Sequence, residues 1–168
     1  MRNLEAKFRL DDRAGAHRAA LAIGFAPRAT LTQRDTFFTV AAGKLKLREE
    51  PSGAALIHYR RAHAGSLELS DYAIVPIPDP AAIRAMLGAA LGVLAEVRKS
   101  RILLMRRNVR LHLDRVDGLG DFGEIEAVLG AGESAESYRA EVAELLAALA
   151  IAPDRLIDVS YFELARRA

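Results

Sequence analysis

The chain has 168 residues, enough for one domain with a substantial buried core. Hydrophobic residues make up 51% and charged residues 27%, an ordinary globular balance that excludes a disordered tail protein. With 24 basic against 22 acidic residues the formal charge is only +2, which argues against a surface built to coat nucleic acid, and the lack of cysteine excludes disulfides, thiolate metal sites and a cysteine nucleophile. No apolar run reaches the roughly 18 residues that span a bilayer, so no membrane association is expected. Met1-Arg2-Asn3-Leu4-Glu5 places charge where a signal peptide needs apolar residues, and the expected compartment is the cytoplasm.

Leu4 to Leu10 reads as a strand, and Asp11 or Asp12 then caps a helix that ends near Gly24. Thr36 to Val40 and Lys44 to Glu49 are short strands joined by Ala41-Ala42-Gly43. After the turn Pro51-Ser52-Gly53, two more strands run from Ala55 to Arg61 and from Leu67 to Val75, linked through Gly65. Asp79-Pro80 is a helix start, a capping side chain followed by proline at the first helical position. Ile83, Met86, Leu87, Ala90 and Leu91 then give that helix one apolar face.

Beyond Gly92, strands are expected over Val93 to Met105, Val109 to Val116 and Phe122 to Leu129, with Asp117-Gly118 turning the last pair. Ser134 caps a final helix whose apolar face is Tyr138, Val142, Leu145, Leu146 and Leu149. A short segment over Val159 to Leu164 closes the fold, and Arg166 and Arg167 read as a solvated tail. The strands follow one another through hairpins, so the sheet is antiparallel and the class is α+β, with about eight strands and three helices. Residues 1–168 form a single domain.

The strand charges share faces. Lys44, Lys46 and Arg48 alternate with leucines; Glu5, Lys7 and Arg9 alternate with Leu4, Ala6, Phe8 and Leu10. Lys99 pairs with Arg101 in the same way, as do Arg110, His112 and Asp114, and Glu124 with Glu126. One such strand is the wet side of any antiparallel sheet; five of them suggest more. Eight strands can close into a barrel with these charges inside and the Leu, Ile, Val and Phe faces packed on helices outside. A dry lumen is excluded, because an unpaired buried charge costs several kcal/mol. The expected lumen is therefore wet and holds something polyanionic. Its carboxylates would take a hard divalent cation such as Mg²⁺ or Mn²⁺. Tyr59 and Tyr72 read as packing residues, and His112 serves equally as a phosphate contact or a hydrogen-bonded structural histidine.

The order of these motifs resembles the CYTH superfamily, the triphosphate tunnel metalloenzymes, and is nearest to the class IV adenylate cyclase branch. Asn3-Leu4-Glu5-Ala6-Lys7 is similar to that family's E-x-E-x-K, with asparagine in place of the first glutamate. Gln33-Arg34-Asp35-Thr36-Phe37-Phe38 resembles its second-strand segment, and Gly43 to Glu49 its basic strand. Leu56 to Arg61, Ser70-Asp71-Tyr72, Lys99-Ser100-Arg101, Arg110 to Asp114 and Gly118 to Glu126 follow in family order.

The resemblance implies an eight-stranded antiparallel closed β-barrel with a charged lumen. It implies that Lys46, Arg48, Lys99, Arg101 and Arg110 bind phosphate, with Arg61 favoured over Arg60. It implies metal ligation by Glu5, Glu124 and Glu126, with Asp114 in support, and places Glu5, Lys7 and Glu126 nearest the chemistry. The substrate implied is a triphosphate and the reaction class IV adenylate cyclase-like, ATP giving cyclic AMP and pyrophosphate. The alternatives are a triphosphatase of the tripolyphosphate or thiamine triphosphate type and a non-catalytic triphosphate-binding module. A homodimer is a further implication, and no nucleic-acid partner is expected.

Overall fold

The structure, a computed structural model, describes residues 2–64 and 67–166. The Gly65 link and Arg167 of the expected tail lie outside the described residues. The described chain runs β1 (Arg2–Leu10), α1 (Arg13–Ala22), β2 (Ala26–Phe38), β3 (Lys44–Glu50), β4 (Gly53–Ala64) and β5 (Leu67–Ile77). It continues through α2 (Pro80–Leu91), β6 (Val93–Arg106), β7 (Val109–Val116), β8 (Gly120–Leu129) and α3 (Glu136–Ala148). A 3₁₀ turn (Pro153–Arg155), β9 (Leu156–Ile157) and α4 (Tyr161–Ala165) finish it.

Strand order is β5-β4-β3-β2-β6-β7-β8-β1-β9, all antiparallel, and β1 also pairs with β5. That last pairing closes eight strands into a barrel. Two strands divide one edge of β1 between them. Residues Arg2 to Glu5 register with Asp71 to Glu68 of β5, and Lys7 and Phe8 register with Ile157 and Leu156 of β9. No helix among the described residues is long and apolar enough to cross a membrane.

The period-2 alternation explains why β1 is buried on both sides. Leu4, Ala6 and Phe8 face outward into an apolar cluster with Ala20 of α1 and Val142, Leu145 and Leu149 of the α3 region. Asn3, Glu5 and Lys7 face inward and are also buried. Gly123 on β8 stands opposite Phe8, and a Cβ there would lie 2.1 Å from the Phe8 ring, so glycine is what lets the ring lie flat against the strand. Asp12 caps α1 by accepting from the Gly15 amide at 2.8 Å, and Asp79 caps α2 through the Ala82 amide at 3.0 Å.

Several elements differ from the sequence reading. β2 begins at Ala26, ten residues before Thr36. Its inner face carries Gln33 and Asp35 and its outer face Thr30, Thr32 and Arg34, so neither side shows the apolar alternation that marks a half-buried strand. Ser134 does not cap α3; Ala135 holds that position without a side-chain bond, and the Ser134 hydroxyl meets that of Ser137. The apolar face expected of α2 is not buried: no residue of α2 is, and Met86 is 58% exposed. The closing segment over Val159 to Leu164 holds helix α4, and the short β9 before it was not expected, so the described residues hold nine strands and four α-helices.

Candidate functional site

The inward side chains surround a cavity of about 390 Å³. All eight barrel strands contribute: Asn3, Glu5 and Lys7 from β1, Gln33, Asp35 and Phe37 from β2, and Lys46, Arg48 and Glu50 from β3. Ile57, Tyr59 and Arg61 come from β4, Ser70, Tyr72 and Ile74 from β5, and Lys99 and Arg101 from β6. Arg110, His112, Glu124 and Glu126 complete the ring from β7 and β8.

One wall is cationic around a single carboxylate. Asp35 accepts from Arg48 Nε and Nη2, both at 2.7 Å, and from Lys46 Nζ at 3.0 Å; Lys99 Nζ lies at 3.4 Å. Burial alone would raise the Asp35 pKa, but Arg48, Lys46 and Lys99 outweigh it and hold the carboxyl well below the usual range. Burial lowers Lys46 and also Lys99, the latter to about 8, with Asp35 opposing the shift and the neighbouring guanidinium groups adding to it.

The other wall carries three carboxylates in reach of four cations and a histidine. Glu5 stands directly opposite Glu126, and Lys7 opposite Glu124. Glu124 receives Lys7 at 3.2 Å, Arg101 at 3.2 Å and His112 Nδ1 at 3.1 Å. Burial would raise Glu124, yet Lys7, His112 and Arg101 hold it well below the ordinary value. Burial and Arg101 lower the His112 pKa, so the neutral ring donates through Nδ1. Glu126 accepts from Arg110 at 3.2 Å and from the Asn3 amide.

Glu5 faces Arg61 Nη2 at 2.7 Å, without the alignment of a hydrogen bond. Arg61 Nη1 also approaches Glu68 at 2.9 Å. Burial, with Glu124 and Glu126 nearby, raises the Glu5 pKa to about 7 against the pull of Arg61 and Lys7. Like charges face each other across β1 and β8, and only cations make that arrangement tenable.

The oxygen donors of Glu5, Glu124 and Glu126 suit a hard divalent cation, and the buried Asn3 Oδ1, which has no partner, faces the same space. Among the described residues no three acidic or histidine side chains already form a metal cage. A Mg²⁺ that arrives with a polyphosphate needs only one or two carboxylates from the protein. The residues present therefore fit such an ion.

Asp114 is placed differently from its expected supporting role at a metal. It is fully buried behind Arg101, whose Nε and Nη2 reach it at 2.7 and 2.6 Å, and Tyr161 donates to it at 3.0 Å. Both oxygens are used, so it orients Arg101. Arg101 and Tyr161 belong to the same buried network, and burial with the neighbouring Asp114 and Glu124 charges raises the tyrosine pKa well above its ordinary value.

Ser160 to Phe162 lie across one end of the barrel. Tyr161 stacks on Phe122 of β8 and lies under Lys7 of β1 and Lys99 of β6; Phe162 packs on Phe37 of β2 and under Lys44 of β3. Glu163 fixes this cap through Lys44 at 2.9 Å and through the Ser160 amide at 2.8 Å. Lys44, on the parity of Lys46 and Arg48, thus serves the barrel end.

The structure brings together Glu5, Lys7, Lys46, Arg48, Arg61, Lys99, Arg101, Arg110, Glu124 and Glu126 around one cavity. Arg60 is exposed, as parity requires. Tyr59 and Tyr72, read from sequence as packing residues, do pack in a cluster with Phe37 and Val97, and they also line the lumen. Sequence reasoning missed Asp35, Glu68 and Tyr161. Asp35 alternates with Gln33 and Phe37, a signal hidden by the late start assigned to that strand.

A CYTH domain model matches residues 1–161. No curated protein matches the chain. Among solved structures, the PH1012 protein of Pyrococcus horikoshii OT3 is similar with a TM-score of 0.86 at 21% identity, over 96% of this chain and 98% of that one. An adenylate cyclase candidate from Vibrio parahaemolyticus gives a TM-score of 0.80 at 17% identity, over 98% of this chain and 97% of its own. The Hippeastrum protein HpAC1, an adenylyl cyclase candidate with a dominant triphosphatase activity, gives 0.68 at 18% identity, over 98% and 95%. At these identities the likeness concerns the fold. The match over residues 1–161, on a chain whose strands close around an ionic lumen, makes the assignment: this chain belongs to the CYTH domain family.

Proposed function

We propose that the chain is a metal-dependent enzyme that processes a triphosphate, with class IV adenylate cyclase-like chemistry: ATP gives cyclic AMP and pyrophosphate. The observation that carries this reading is the meeting of Glu5 and Glu126 across β1 and β8, facing a wall of Lys46, Arg48 and Lys99. Lys46, Arg48 and Lys99 would hold phosphate oxygens, Arg48 through the edge of its guanidinium that Asp35 leaves open. Arg101, Arg110 and Arg61 would bind further along the anion as their carboxylate partners turn to the metal. Lys7 lies between the two groups and would neutralise the reacting phosphoryl. Glu5, Glu124 and Glu126 would hold Mg²⁺ or Mn²⁺, with Asn3 contributing an uncharged oxygen. Such an ion polarises phosphorus and stabilises the leaving oxygen.

In the cyclase step the ribose 3′-oxygen attacks the α-phosphorus, pyrophosphate leaves, and the 3′-hydroxyl proton passes to a base. The remaining acceleration is positioning and fixed charge.

A triphosphatase is the second reading. The cap formed by Tyr161 and Phe162 favours it, because a blind cavity with cations near its closed end suits an anion lying wholly inside. Incubation of purified protein with ATP and Mn²⁺ or Mg²⁺, followed by product analysis, separates the two. Cyclic AMP with pyrophosphate is the expected result. Orthophosphate without cyclic nucleotide would establish the triphosphatase, and tight triphosphate binding with no turnover under either ion would reduce the protein to a binding module.

A further inference from the structure

Lys46 and Arg48 stand on β3 and Lys99 on β6, strands that do not pair with each other because β2 runs between them. Asp35 is the β2 side chain that ties the two sides together. It registers with Arg48 on one side and with Val97 on the other, one inward position from Lys99. Arg48 engages both of its oxygens, and Lys46 and Lys99 converge on Oδ2. At 2% exposure this carboxylate is buried among the three cations.

Each cation spends only part of its donor set on Asp35. Arg48 gives Nε and Nη2 and keeps Nη1, and each ammonium has two further N–H groups. All three side chains line the cavity, so those remaining donors can serve an anion there. Left to themselves, three such cations repel one another, and burial favours the neutral amines. Lys46 is faced by Arg48, Lys99 and the rings of Phe37 and Tyr59, and Lys99 by Lys46, Arg48, Arg101, Asp114 and the ring of Tyr161. Glu50 acts on Arg48. Of the carboxylates in this set, Asp35 is the one within hydrogen-bond reach of both amines. A triphosphate that displaced it would strand a buried carboxylate, which the depressed pKa of Asp35 strongly opposes.

We propose that Asp35 is a positioning residue for the triphosphate: from the strand between them it holds the β3 and β6 cations together in charged form, with their remaining donors turned to the cavity, and does not itself touch the anion. The proposal rests on the triphosphate reading above and adds to it a residue whose charge is opposite to that of a phosphate-binding group. The lumen then holds two kinds of ion pair. Arg61–Glu5 and Arg110–Glu126 are exchanged for metal and anion, whereas the pairs on Asp35 stay in place and fix the geometry in advance.

The test is metal-free binding of tripolyphosphate, by calorimetry from pH 6 to pH 9, to the unmodified protein, Asp35→Asn and Asp35→Glu. The protonation of the ligand is common to all three proteins and cancels in their ratios. Affinity of the unmodified protein is expected to fall above about pH 8, where Lys99 loses its proton. Asp35→Asn removes the charge that sustains the amines, so its affinity should be about tenfold lower at pH 8, with a decline that begins near neutrality. Asp35→Glu keeps the charge but displaces it, so its decline should stay near pH 8 at an affinity about threefold lower. A merely structural role would lower affinity by one factor at every pH, and that result for Asp35→Asn would overturn the proposal. Equal or tighter binding by Asp35→Asn across the range would also overturn it, because Asp35 would then compete with the anion. If Asp35→Asn does not fold, Asp35→Glu decides: full affinity at every pH would show that the place of the carboxylate does not matter. Failure of the unmodified protein to bind tripolyphosphate at any pH would overturn the triphosphate reading itself.

Discussion

Glu5 joins two opposing demands in one side chain. It is 5% exposed, faces Glu126 across the strand pair, and meets Arg61. Burial and the neighbouring carboxylates win, and its pKa rises to about 7. A carboxyl whose folded pKa exceeds its unfolded value contributes stability below about pH 4.5, and that contribution is lost as pH rises through about 7. The ionised form is the one that binds metal. Mn²⁺ affinity should therefore climb through pH 7, and Glu5→Gln should flatten the climb. Lys99 acts in the opposite sense. Its pKa of about 8 means that triphosphate affinity falls above that pH. The two together predict a bell-shaped profile of kcat/KM, which reports the free enzyme. A flat profile between pH 6 and 9, measured at a fixed subsaturating metal concentration, would contradict these assignments.

At the scale of single elements, β1 and the β9–α4 segment set the shape of the cavity. β1 shares an edge between β5 and β9, so the barrel is closed beside Glu5 and the cap is anchored beside Lys7. A five-residue helix has no stability of its own; α4 is held by the Ser160–Glu163 capping box and by burial of Tyr161 and Phe162. Each such aromatic contributes roughly 1.5–3 kcal/mol when buried.

The contact between β1 and β8 depends on Gly123. Adding a methyl group there drives a carbon into the Phe8 ring, and Gly123→Ala should lower stability by about 1–3 kcal/mol. Phe8→Leu in the same background should recover part of the loss by vacating the ring. Denaturant midpoints for the two variants check this, and an unchanged midpoint for Gly123→Ala would contradict the packing described.

For the molecule as a whole, the closed barrel was legible because its lumen is ionic. Charges at alternate positions on β1, β3, β6, β7 and β8 marked one face of each strand, and the mostly apolar residues between them marked the other. The same rule ran out where the lumen lining is mixed. On β2, Gln33 and Asp35 point inward opposite a polar outer face, so period 2 carries no hydropathy signal. Asp35, the hub of Lys46, Arg48 and Lys99, was hidden with its strand. Asp114 shows a second limit: parity puts it on the lumen side, but only contacts reveal that Arg101 and Tyr161 shield it from the cavity. Tyr161 reaches Asp114 from 47 positions along the chain, a closure that no local pattern contains.

The central claim is that Glu5 and Glu126 pair with arginines only until a metal and a triphosphate replace those pairings. A crystal of the protein with Mn²⁺ and tripolyphosphate, phased to locate manganese by its anomalous signal, tests it most directly. The account predicts manganese beside Glu5, Glu124 and Glu126 and phosphate oxygens on Lys46, Arg48, Lys99 and Arg101. Manganese and anion bound outside the barrel, with Arg61–Glu5 and Arg110–Glu126 still paired inside, would contradict it.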